Sequence, residues 1–457
     1  MHKGVIIYLQ SLTKIIFGGS IMKKRAILSL LSLSAASLFV LGACGKSDDS
    51  AKTDKDGKET ITFINHKTDW EGNGKWDEYM KEFNKKYPDI KVEIQTITDY
   101  AGQMKTRMNS DEYGDLLMLP GDIQPQEFAT FFEPLGDKEE LAKTYMGLND
   151  RSYDGVSYGI PTQMNATGMV VNKKVFEEAG ITEFPKTTED FVAALKTIKE
   201  KNPDVTPLYT NYAAGWTLSN WDFVRPGASG DKDFTNKMTS DKAPFEDGKV
   251  MNEIYKTLYD VSKEGLIEAD PTTTDWEQSK VDMANGKIGV MVLGSWAVPQ
   301  IQEINPDTAE DITFQAFPMT ASDGKQYMGV GGDYNLAINV HSKHKEAARK
   351  LLDWLVNESD YAVDNGGLPA VLGGNYPTAL KSSQEAGVEL IEENPAPAGK
   401  ESLFSDINNE SELGIGTTDA EKQRIIDAAT GNTKESFETI MKDFDKRWSD
   451  AIKSVGE

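Results

Sequence analysis

Four tryptophans, Trp70, Trp216, Trp221 and Trp296, stand in stretches rich in Gly, Ser, Thr or Asn, where an indole face can be offered to a ligand. Such a face complements a molecule with flat C–H surface, and planar amides or carboxylates beside it would take up hydroxyl groups. Trp76, Trp354 and Trp448 lie in or near helical segments, Trp76 and Trp448 within apolar stripes, and all three read as core. Trp276, ahead of Lys280 and Met283, is open to either reading. Other chemistries find less support. His341 and His344 are three residues apart, but no third metal ligand is evident. Asp406, Asn408 and Glu410 alternate like the start of a calcium loop, yet Ser411 stands where that loop needs glycine and Thr417 where it needs glutamate. There is no P-loop, and Gly329-Val330-Gly331-Gly332 does not fit a dinucleotide fingerprint. No cofactor and no metal is expected.

The elements that must position these side chains alternate between strand-like and helical runs. Thr60 to Ile64 is β-rich, and Trp76, Tyr79, Met80 and Phe83 then fall on one helical face that Pro88 ends. Val92, Ile94 and Thr96 alternate as a strand, and Leu116 to Leu119 is a short buried run. Gly168 to Val171, Ile288 to Leu293, Ile312 to Phe317 and Leu336 to Val340 repeat the strand signal. Helical faces recur at Phe191–Ile198 behind a cap at Thr188, at Met251–Leu258, at Ala348–Leu355 and at Phe437–Trp448. Repeated strand–helix units of this kind predict an α/β fold with parallel sheets.

At 457 residues the chain is too long for one ordinary core, so two lobes are expected. Its 73 acidic against 49 basic residues give a net charge of −24, which argues against nucleic acid as a partner. The single cysteine, Cys44, excludes an internal disulfide framework. Its setting is informative. Lys23-Lys24-Arg25 is followed by an apolar run from Ala26 to Val40 and then Leu41-Gly42-Ala43-Cys44, the plan of a secretory signal. The tetrad resembles the lipobox of bacterial lipoproteins, whose cysteine is lipidated and becomes the first residue after cleavage. Met22 begins a complete signal by itself, so translation is expected to start there and not at Met1. Residues 44–58 lack large apolar side chains and read as a flexible tether.

Several segments in order resemble the family 1 extracellular solute-binding proteins, the carbohydrate receptors of ABC importers. They are Glu82-Phe83-Asn84 through Tyr87-Pro88-Asp89-Ile90; Asp154-Gly155-Val156-Ser157-Tyr158-Gly159-Ile160-Pro161; Val171-Asn172-Lys173 with Phe176-Glu177-Glu178-Ala179-Gly180; Asn285-Gly286-Lys287-Ile288 with Gly294-Ser295-Trp296; and Lys345-Glu346-Ala347-Ala348. The likeness runs from residue 60 to 455. It implies a two-lobed periplasmic-binding-protein-like fold (type II) whose hinge the chain crosses more than once. By analogy, residues 59–165 and 333–370 form one lobe, and 166–332 with 371–457 the other. Ligand then binds between the lobes and closes them, a motion borrowed from periplasmic binding proteins generally.

The resemblance also sorts the site. Trp296 matches the family's Gly-Ser-Trp position, where the ring commonly stacks on sugar. His66 lies in the loop after the first strand and Asp122 after the third, at the cleft end of a parallel sheet. Gln163 and Asn165 fall at the expected first crossing, and Asp333 and Tyr334 at the second. Trp70, Trp216 and Trp221 complete the candidates. The function implied is that of a lipoprotein anchored through a lipid (palmitate) on Cys44 at the extracellular face of the bacterial cytoplasmic membrane. As a monomer and not an enzyme, it would deliver a mono- or oligosaccharide to ABC transporter permease subunits. The alternatives are a secreted carbohydrate-active hydrolase, which needs two carboxylates across the scissile bond, and the same fold holding a non-sugar solute.

Overall fold

Strand Glu59–Asn65 buries Ile61 and Phe63 and pairs in parallel with Ile90–Thr96 on one side and Leu116–Met118 on the other. Parallel neighbours require crossovers, supplied by helices Lys75–Lys86 and Tyr100–Arg107. The first helix places Trp76, Tyr79 and Phe83 against the sheet, with Asp77 and Glu78 in its first turn and Lys85 and Lys86 in its last, as the helix dipole favours. The computed structural model describes residues 57–456 apart from Asp99 and Asp122. The signal, Cys44 and most of the tether, together with Asp122, therefore lie outside the described residues. Among the described residues no helix is long and apolar enough to cross a membrane.

The first sheet is completed by segments distant in sequence. Its order is Ile90–Thr96, Glu59–Asn65, Leu116–Met118, Asn335–Ile338 and Ile160–Pro161, the last two antiparallel to their neighbours. A second sheet runs Glu389–Glu392, Tyr327–Gly332, Met164–Asn172, Ile288–Gly294 and Thr206–Leu208. Its nine-residue strand Met164–Asn172 is shared along one edge, where Ile312–Gln315 pairs with residues 169–172 and Tyr327–Gly332 with residues 164–167.

The chain passes between the sheets at three adjacent places. Residues 162–163 lead from the first sheet into the second, and residues 333–334 lead back. These two segments are themselves bonded, Thr162 N–H to Tyr334 C=O and Asp333 N–H to Gln163 C=O, both at 2.9 Å. Leu368 pairs with Met164 through two reciprocal bonds of 2.8 Å, after which the chain returns to the second sheet as Glu389–Glu392. Two α/β lobes are thus connected by a ladder continuous with both sheets.

Alternation along the second sheet divides its two faces. Val170, Met291 and Leu293 join a core that extends from the first sheet across the crossings. Met169, Val171, Val290 and Val292 face a second core made with helices Thr188–Lys201, Val250–Lys263, Ala420–Thr430 and Phe437–Val455. Trp76 and Trp354 lie in the first core and Trp448 in the second, as expected for core residues; the Trp448 indole N–H donates to Met238 C=O at 3.0 Å. One local expectation needs correction. The helix at Thr188–Lys201 is capped by Thr187, whose hydroxyl accepts from Asp190 N–H. The calcium-like run lies in helix Leu403–Ser411, where Asn408 is buried and its amide pairs with the backbone of Ile415.

Candidate ligand-binding site

The crossings leave a cavity of about 320 Å3, lined from the first sheet's loops by His66, Lys67 and Trp70, and from the crossings by Gln163, Asn165 and Asp333. Trp296, Pro299, Gln300 and Glu303 close it from the second lobe, and Tyr361, Asp364 and Asn365 from a short helix after the second crossing. Six candidates from widely separated positions, His66, Trp70, Gln163, Asn165, Trp296 and Asp333, thus line one cavity.

The Gly-Ser-Trp triplet explains how Trp296 is aimed. Strand Ile288–Gly294 ends as Ser295, which is fully buried and exchanges two bonds with Ala166, N–H to C=O at 2.9 Å and backbone N–H to hydroxyl at 3.0 Å. That clamp fixes the turn to the neighbouring strand at the crossing. The indole folds back over Gly294, where a Cβ would stand 2.4 Å from its ring nitrogen, so no larger residue fits with this ring pose. Trp296 then caps helix Ala297–Gln302.

The polar wall is a relay. Gln163 is 1% exposed; its amide N–H donates to Asn165 Oδ1 at 2.8 Å, and its own Oε1 is buried without a partner. Asn165 in turn bonds the Asp333 carboxylate. Burial holds Asp333 above the usual aspartate range, opposed by bonds from Tyr334 and Asn165 and by the nearby charge of Lys67. At the cavity edge, Asp364 is held by Tyr79 OH at 2.7 Å and by Lys75 at 3.0 Å.

On the first-lobe side His66 lines the cavity and stacks on Tyr334 behind it, at 4.1 Å with planes 28° apart, and Tyr100 packs edge-on against both. Burial raises the Tyr334 hydroxyl, with Asp333 adding to the effect, so it stays a neutral donor. Trp70 is only 4% exposed, boxed in by Trp76, Tyr79 and Tyr361 with Lys67 and Lys75 over its ring, so little of it is free for a ligand. Trp216 is 39% exposed and packs on Trp296 and Trp276 beside the cavity.

The expectation that Trp221 faces a ligand is corrected. It is 1% exposed, within the second core against Phe317, because the short helix Asn220–Phe223 turns it inward. Sequence reasoning missed Tyr361, Asp364 and Asn365. Their only signal is the packing of the short helix Tyr361–Asp364 on residues nearly 300 positions earlier, such as Tyr79.

His341 and His344 do not converge on a metal. His344 pairs with Glu59 at 2.9 Å and His341 approaches Asp111 at 3.5 Å. Among the described residues no group of three or more His, Cys, Asp or Glu side chains is placed to hold one.

Comparison with known proteins gives concordant matches. The family model described as bacterial extracellular solute-binding protein matches residues 69–362. A multiple sugar-binding protein of Streptococcus mutans is 27% identical over 365 residues, 77% of this chain and 83% of the relative. A melibiose/raffinose/stachyose-binding protein of Bacillus subtilis is 25% identical, covering 71% and 75%. Among solved structures, a manno-oligosaccharide specific solute binding protein from Bifidobacterium animalis subsp. lactis, in complex with mannotriose, is 41% identical. It has a TM-score of 0.77, with 88% of this chain and 96% of that one covered. A second binding protein of an ABC transporter from that organism, in complex with mannobiose, is 38% identical with the same TM-score, covering 88% and 97%.

Proposed function

The chain belongs to the bacterial extracellular solute-binding proteins, and on that premise we propose that it captures a manno-oligosaccharide between its lobes and delivers it to an ABC importer. One observation carries the reading. The cavity joins a tryptophan from one lobe to a relay at the crossings whose buried Gln163 oxygen has no protein partner. A sugar supplies what is missing, a C–H face for Trp296 and hydroxyls that donate to Gln163 and Asp333 and accept from Asn165. The resemblance to the two Bifidobacterium proteins supports mannose as the unit.

The remaining assignments follow from this role. Residues 59–165 and 333–370 make one lobe, and 166–332 with 371–457 the other, a division supported by the strand membership of the two sheets. The chain performs no catalysis. It is secreted and held at the outer face of the cytoplasmic membrane by lipid on Cys44, a reading that rests on the lipobox-like tetrad. The first 43 residues hold five of the basic and none of the acidic side chains, so cleavage leaves a body of charge −29. Such a body is repelled by an anionic surface and needs the lipid to stay there.

Intrinsic tryptophan fluorescence, titrated with mannose, mannobiose, mannotriose, raffinose and chitobiose, tests the function. A saturable change with a manno-oligosaccharide is expected, because Trp216, Trp276 and Trp296 cluster beside the cavity. No response to any of the five, or release of shorter products during incubation, would overturn it.

A further inference from the structure

We propose that Glu392 is an interlobe strap on the face of the crossings turned away from the cavity, and that it opposes closure and so sets the affinity for every ligand alike. The proposal rests on the reading above that a sugar is held between the lobes, and adds what its binding must overcome.

Alternation along the strands places the strap. Asn165 lines the cavity, so its strand neighbour Met164 points to the opposite face. Gly147 lies over that face. A Cβ on it would stand 2.5 Å from Met164 Sδ and 2.8 Å from Pro161 Cγ, and its φ of 74° suits glycine. Glu392 reaches the same face, because it is level with Val330, which is level with Ala166, and Ala166 shares its face with Met164. The Glu392 carboxylate accepts from Gly147 N–H at 3.1 Å and from the Asn149 amide at 3.4 Å. The same amide reaches Glu393 C=O at 3.4 Å.

The two ends of the strap ride with different lobes. Tyr145 and Leu148, on either side of Gly147, are buried in the first core, and Leu148 C=O accepts from the Ser152 hydroxyl at 2.6 Å. Glu392 ends strand Glu389–Glu392 of the second sheet. Beside it, the Glu393 carboxylate accepts from Thr235 N–H at 3.1 Å and lies 3.9 Å from Arg225, and Asn394 N–H donates to Lys232 C=O at 2.8 Å. Lobes that turn about the crossings to close on the cavity must part on the opposite face. Closure therefore stretches or breaks charge-assisted bonds that the open form keeps. The strap lowers the closed fraction available to any ligand, and apparent affinity falls with that fraction.

Calorimetric titration of the full chain with mannose, mannobiose, mannotriose, raffinose and chitobiose tests the strap in wild type, Glu392→Ala, Glu392→Gln and Asn149→Ala. Glu392→Ala should bind every sugar that the wild type binds about threefold to tenfold tighter, by one common factor, with a ligand-free melting temperature no higher than wild type. A residue serving structure alone would lower stability without tightening binding. Glu392→Gln keeps an acceptor oxygen and should fall between wild type and Glu392→Ala. Asn149→Ala should tighten binding by a smaller common factor, and it decides the matter if Glu392→Ala does not fold. Binding by Glu392→Ala within about twofold of wild type, weaker binding, or a gain for one sugar and not another overturns the strap and leaves the sugar reading standing. A wild type that binds none of the five overturns the sugar reading and this proposal with it.

Discussion

Replacing Gln163 by methionine should stabilise the ligand-free protein while weakening ligand binding. Methionine matches glutamine in length and fills the same space without polar atoms. The substitution removes a buried amide oxygen that has no partner, a defect costing about 1–3 kcal/mol. It also removes the 2.8 Å bond to Asn165, which contributes about 0.5–1.5 kcal/mol. Asn165 is only half-buried, so water can replace that bond. The balance favours the variant by about 1 kcal/mol, roughly 1 °C in Tm for a body of this size. With ligand the sign reverses. A sugar hydroxyl that bonded Gln163 is left unpaired in a closed site, a loss of about 1–3 kcal/mol or roughly 5- to 150-fold in Kd. Thermal unfolding of the ligand-free protein and calorimetry with mannotriose measure the two halves. A variant melting more than about 2 °C lower, or binding within about twofold of wild type, would refute the assignment of Gln163 as a ligand acceptor held ready at the crossing.

Three further outcomes are expected. Lys422 and Asp222 form a fully buried ion pair at 2.6 Å, with Tyr255 OH and Gly416 N–H also donating to the carboxylate. Lys422→Met should cost about 3–5 kcal/mol in denaturant unfolding, and a loss below about 1 kcal/mol would mean the carboxylate is satisfied without it. Because burial raises Asp333, folding favours its protonated form. That contribution is full below the ordinary value of 3.8 and is lost as pH rises through the higher value in the folded protein. Asp333→Asn should therefore flatten this part of the ligand-free stability profile and exceed wild type at neutral pH; identical pH slopes would show the carboxylate to be well solvated. Gly366 has φ 67°, and a Cβ there would stand 2.5 Å from Pro299, on the helix that Trp296 caps. Gly366→Ala should lower stability by at least about 1 kcal/mol and weaken sugar binding, both read by melting with and without mannotriose.

Local chemistry made much of this legible before the structure. The strands at Thr60–Ile64 and Ile288–Leu293 and the helix through Trp76 and Phe83 announce themselves by period. Likewise, Gly-Ser-Trp after a continuous apolar strand marks a turn that must present its ring at a strand end. Gln163 and Asp333 stood out through the resemblance that implied the crossings, and they lie hydrogen-bonded side by side there. Long-range packing was not legible. Ser-Asn-Trp at residues 219–221 has a loop's composition, yet Trp221 turns into a core that Phe317 completes nearly a hundred residues later. Trp276 gave no periodic signal deciding its role; only its meeting with Trp216 and Trp296 does so. The Tyr361–Asp364 helix carries cavity residues in a segment without a motif of its own, and tertiary contact alone assigns them.

The crystal structure of the protein with mannotriose tests the central claim most directly. The account predicts a sugar ring lying on Trp296, with one hydroxyl within hydrogen-bonding distance of Gln163 Oε1 and another of the Asp333 carboxylate. Mannotriose bound instead in the groove of about 570 Å3 lined by Tyr79, Glu82, Trp354 and Glu358, with no sugar between the lobes, would contradict it.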